Sequence, residues 1–142
     1  MKKLVFALLA VSALTGCGRQ EKLTLEQALL AKMEADSDLK DYKIDPKDMT
    51  GCVLEEIAQS LPVMPVDTRR GAYYEAYAKF LTIANSQEAQ KAIDEAAQLF
   101  GSVKEARKAA LSITEHIVSC MGRLTDQREP EQRPAAPAKP AT

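Results

Sequence analysis

Tryptophan is absent from this 142-residue chain, and aromatic residues make up only 5% of it. Glycine is scarce, with 6 residues, and β-branched runs are missing. A β-sandwich draws its core from such runs, so the shortage argues against one. Histidine is also nearly missing: His116 is the single copy. Zinc sites draw on several His or Cys ligands, so no metal centre is expected. A Ser-His-Asp or Cys-His arrangement would have to use His116, and no G-x-S-x-G accompanies it. His116 falls at the edge of an apolar stripe and reads as an interface or surface residue. No glycine-rich phosphate loop is present. The acidic pairs Glu55-Glu56 and Asp94-Glu95 are sequence neighbours in helical stretches. Neighbours point about 100° apart on a helix, so these read as solvated faces rather than converging catalytic carboxylates. Neither an enzyme nor a cofactor is expected.

Excess charge of one sign is lacking too. The net charge is −1, which leaves no basic footprint for nucleic acid and no polybasic patch for anionic lipid. Long hydrophobic runs are the last absence. The most apolar stretch, Leu4 to Leu14, covers about half of a bilayer core of roughly 30 Å at 1.5 Å per residue. It does not read as a spanning helix.

That stretch has another reading. Lys2 and Lys3 precede it as a positive n-region, and it has the length of a signal-peptide h-region. Leu14-Thr15-Gly16-Cys17 follows. This tetrapeptide resembles the lipobox of bacterial lipoproteins, and the resemblance covers residues 1–17 alone. It implies that 1–16 is a cleaved signal and that Cys17 carries the lipid as the first residue of the mature protein. It implies membrane attachment through Cys17, since two or three acyl chains on one residue hold firmly where one holds marginally. Gly18, where an inner-membrane lipoprotein of enteric type carries Asp, implies the outer membrane, with the domain facing the periplasm.

The lipobox also bears on the cysteine count. Setting Cys17 aside leaves Cys52 and Cys120, an even pair in an oxidising compartment. A disulfide between them is expected.

The mature chain is rich in Ala and Leu, which suits closely packed helices. Residues 17–23 read as a lipidated tether, and 24–124 as a helical domain of four to five short helices. Thr24 and Gln27 suggest a capping box for a helix with Leu25, Leu29 and Met33 on one face, ending near Asp38. Asp45-Pro46 starts a second helix, with Val53, Leu54, Ile57 and Leu61 inward. Cys52 lies off the centre of that face. Either the chain is irregular up to Gly51, or the disulfide sits at the edge of the bundle.

Asp67 or Thr68 is expected to cap a third helix carrying Tyr73, Tyr77 and Phe80. Asn85-Ser86 starts a fourth, and Gly101 ends it in a left-handed turn. Ser102 opens a fifth, whose stripe runs through Ala106, Ile113, Cys120 and Leu124. The segment 125–142 holds four of the seven prolines and no large apolar residue, and reads as a disordered tail with polyproline II character. The fold class is therefore all-α, a small disulfide-braced bundle.

Two features suggest contact with a partner. Tyr74 lies off the aromatic stripe and is expected to be exposed. Val63, Met64 and Val66 sit in a proline-flanked connector, where they either staple onto the bundle or form a docking patch. The leading expectation is a membrane-anchored interaction module that meets a protein or cell-wall component of the bacterial envelope. A carrier or sensor of a small apolar ligand in an interhelical cavity is one alternative. An inhibitor or immunity-type envelope protein is another.

Overall fold

The computed structural model describes residues 17–132. The expected signal segment 1–16 and the end of the expected tail, 133–142, lie outside the described residues. Among the described residues the chain is all-helical. Its helices are α1 (Cys17–Ala35), α2 (Ser37–Asp41), α3 (Pro46–Ser60), α4 (Arg70–Leu81), α5 (Ser86–Phe100) and α6 (Val103–Gln132). Five are long and α2 is a short corner, so the bundle is close to the expected count.

Several helix starts follow from their caps. The Asp45 carboxylate accepts from the Lys47 amide at 2.7 Å, and Pro46 takes the first helical position. Asn85 Oδ1 accepts from the amides of Gln87 and Glu88. Glu88 reaches back to the Ala84 amide and the Asn85 side chain, so both sides of the cap are satisfied. Ser102 Oγ accepts from the Glu105 amide. Gly101 adopts φ +90° after α5, where a side chain would be strained.

Three boundaries differ from expectation. The tether 17–23 is helical, because α1 begins at Cys17. Beyond Gly18 this segment consists of ordinary helix formers. Thr24 is consequently not a cap: its hydroxyl donates to the Gln20 carbonyl one turn back, as mid-helix Thr does. The chain turns instead at Asp36, which caps α2 by accepting from the Asp38 amide. The tail boundary moves as well. Helix α6 continues past Leu124 to Gln132. Residues 125–129 contain no breaker, so the nucleated helix adds one hydrogen bond per residue without needing an apolar face, and it ends two residues after Pro130.

Four of the helices surround α4 or continue its neighbours' packing. Helix α1 packs on α3 and α4, α3 on α6, and α5 on α4 and α6. Helix α4 is buried on most of its circumference, through Gly71, Tyr73, Tyr74, Ala76, Tyr77, Ala78 and Phe80. Only Ala72, Glu75 and Lys79 leave a narrow exposed strip, and a helix apolar over the rest of its surface belongs in the centre. Leu25, Leu29 and Met33 of α1 meet Met49, Val53 and Ile57 of α3 in the same core, all essentially inaccessible. At the far end Phe100 sits edge-on to Tyr73 at 5.0 Å and to Tyr77 at 6.0 Å. No described helix is long and apolar enough to cross a membrane.

Candidate interaction surface

The connector between α3 and α4 is short of regular structure but not of order. Pro62 and Pro65 fix two of its φ angles. The Asp67 amide donates to the Met64 carbonyl at 3.0 Å, and the Arg70 amide to the Asp67 carbonyl at 3.2 Å. These bonds make two successive turns. Asp67 then clamps the second turn from outside. Its carboxylate accepts from the Arg69 amide at 2.8 Å and from the Arg69 guanidinium at 2.8 Å. The guanidinium and amide of Arg69 hold the Asp67 carboxyl down at about 2. The expected helix cap is thus a turn clamp. Helix α4 starts later, at Arg70, with no side-chain cap.

Arg70 anchors the connector from beneath. Its guanidinium donates to the Ala58 carbonyl at 2.9 Å, to the Val63 carbonyl at 3.3 Å and to the Tyr74 hydroxyl at 2.9 Å. It also lies over the Tyr74 ring, 5.6 Å from the centroid. One half-buried cation therefore ties the end of α3, the middle of the connector and the first turn of α4.

Tyr74 is not the exposed contact that the sequence suggested. It is 5% exposed and acts from inside, as the platform for Arg70. Its place off the aromatic stripe sets it against Arg70, which also holds the connector. Val63 is half-buried and packs on the core. Met64 and Val66 remain outside, 71% and 91% exposed. The connector therefore divides: Leu61 and Val63 staple it down, and Met64 and Val66 are presented on the anchored turn. Sequence reasoning missed Arg70. The one available signal was its position directly before the aromatic run, four residues ahead of Tyr74.

A second polar cluster lies on the α3–α6 seam. Cys52 and Cys120 are joined by a disulfide, with Cα atoms 5.9 Å apart, within the usual range. Helix α3 is regular through Gly51, so Cys52 sits half-buried at the bundle edge while Cys120 is fully buried. Beside the bond, Arg123 Nη2 lies 2.8 Å from Cys52 Sγ and 2.7 Å from Glu56 Oε1. Ser119 donates to Glu56 Oε1 at 2.9 Å, and His116 Nδ1 lies 2.9 Å from Glu56 Oε2.

Glu56 is therefore no solvated face. Burial would raise its pKa, but the hydrogen bonds from Ser119 and His116 and the charge of Arg123 outweigh that and lower it. With Glu56 ionised, His116 Nδ1 carries the proton and donates it. Donor atoms of Cys52, Cys120 and Glu56 fall within 4.8 Å of one another. The two sulfurs are bonded to each other and offer no thiolate, so this is a cross-linked seam rather than a metal centre.

No protein-family model matches the chain, and no curated protein or solved structure is significantly similar to it.

Proposed function

We propose that this chain is a lipid-anchored protein of the bacterial envelope whose helical domain docks a protein partner through the α3–α4 connector. The observation that carries the docking reading is the presentation of Met64 and Val66 on a turn held by Arg70 and Asp67. Exposed apolar side chains on a fixed backbone lose little conformational freedom on binding, so more of their contact energy appears as affinity. The anchoring reading rests on Leu14-Thr15-Gly16-Cys17. Acylation at Cys17 would place the first turn of α1 at the membrane surface, in the outer membrane and facing the periplasm.

Two measurements test the two halves separately. Cys17→Ser should abolish metabolic labelling with a fatty acid and move the protein from the membrane to the soluble fraction. Persistence of both label and membrane attachment would refute the anchor. A photocrosslinking residue at Met64 in intact cells should trap one defined protein, and Val66→Asp should remove that adduct. Equal crosslinking from Met64 and from an exposed position on α5, such as Gln90, would reduce the connector to ordinary surface.

A further inference from the structure

A cleft of about 270 Å³ opens between the end of α3, helix α4, the end of α5 and the first turns of α6. Its lining includes the buried Tyr77 and the half-buried Phe100. Ser60 and Ser112 contribute hydroxyls, and the exposed Glu105 and Lys108 stand at its rim.

Three of these groups are uncommitted. Tyr77 is 3% exposed, yet its hydroxyl has no hydrogen-bond partner among the described residues. Tyr73, one turn earlier, does have one, in the Leu99 carbonyl at 2.9 Å. The Tyr77 hydroxyl is not one of the enclosed polar atoms that lack a partner, so it is open to solvent and available to a ligand. Glu105 and Lys108 are three residues apart, a spacing at which opposite charges face each other on a helix. Neither forms an ion pair, with the other or with any described group. The two serines are polarised in a useful sense as well. Ser60 donates to the Ile57 carbonyl and Ser112 to the Ala109 carbonyl, which leaves their oxygens as acceptors.

An aromatic base with separate donors and acceptors at its edge matches a small zwitterion that has an apolar body. We propose that the cleft binds a free α-amino acid with a bulky apolar side chain. The side chain lies on Tyr77 and Phe100. The carboxylate meets the Lys108 ammonium and the Tyr77 hydroxyl, and the ammonium meets Glu105 and the serine oxygens. The volume agrees, since it lies just below the roughly 300 Å³ at which sites for larger ligands begin. The cleft is open to solvent, so this is not the enclosed interhelical cavity expected of an apolar-ligand carrier.

The test is a titration of the isotope-labelled full-length protein, followed by amide NMR, with three probes. They are L-phenylalanine, N-acetyl-L-phenylalanine and L-phenylalaninamide. L-Phenylalanine should produce saturable shifts at Ala109 and Ser112, with each blocked analogue weaker by at least about tenfold. Lys108→Met should erase the preference for L-phenylalanine over its amide while the rest of the spectrum stays in place. Equal binding of all three probes would mean simple stacking on the aromatic rings and would overturn the zwitterion assignment. Shifts elsewhere, or none, would overturn the site. A Met64→Ser variant should bind L-phenylalanine as the unaltered protein does, which separates this site from the docking connector.

Discussion

At the scale of single residues, the most informative groups are two carboxylates and the arginines around them: Glu56 with Arg123 joins α3 to α6, while Asp67 with Arg69 and Arg70 fixes the connector. Glu56 is bound by His116, Ser119 and Arg123 from another helix, and its pKa is lowered from 4.5. A depressed folded-state pKa means that the ionised form stabilises the fold at pH values above 4.5. That contribution is lost as the pH falls through the folded-state value. Glu56→Gln should therefore remove about 1–3 kcal/mol at neutral pH, and its stability should depend less steeply on pH in the acid range. Parallel acid titrations of the two proteins would show that the seam is merely spatial. Asp67 gives a more direct reading. Its carboxyl should titrate by NMR with a midpoint near 2, and in an Arg69→Gln variant the midpoint should return toward 3.8. These contacts were not legible in the sequence. Glu56 looked like half of a solvated pair, because a charge reveals its partner only once two helices are placed side by side. Arg70 was hidden for the same reason, since two of its acceptors are backbone carbonyls, which every residue carries.

At the scale of elements, short-range chemistry was legible wherever a cap is local. Asp45-Pro46, Asn85 and Gly101 each act within four residues of themselves, and the helices begin and end where those residues direct. Two of the misread boundaries, before Leu25 and after Leu124, lie where no stop signal interrupts the helix, whereas Thr24 and Asp67 are cap-type residues that act as something else. Composition and proline count suggested a tether before Leu25 and a tail after Leu124. A helix needs no apolar face to continue, only residues that do not break it, so α1 extends backward and α6 forward. Gly101 is the boundary with the clearest energetic prediction. At φ +90° a Cβ meets no neighbouring atom, so the cost of Gly101→Ala is conformational alone, about 1 kcal/mol. A lower thermal midpoint with unchanged helix content is expected. Restoration by Asn at the same position would attribute the loss to backbone strain, because Asn tolerates the left-handed region better than Ala does.

At the scale of the whole molecule, the disulfide joins α3 to α6 across a sequence separation of 68. The pair was legible by counting, once the lipobox resemblance set Cys17 aside. Its place at the bundle edge was not, because that depends on how far α3 rolls against α6. The bond lies where Glu56 and Arg123 already connect the same two helices, so the native seam does not depend on it alone. Its main effect should fall on the unfolded chain, which it holds together across a long loop. Chain-entropy reasoning gives about 4 kcal/mol for a loop of this length. Replacing both cysteines by alanine should lower the urea midpoint accordingly. It should also raise the dependence of unfolding free energy on urea, because the unlinked unfolded chain is more expanded and exposes more surface. The second effect separates the mechanisms. Loss of native packing alone would shift the midpoint and leave the slope unchanged. A lower midpoint with a steeper slope would place the stabilisation in the unfolded state, and leave the hydrogen-bonded Glu56 cluster as what aligns α3 on α6 when the bond is absent.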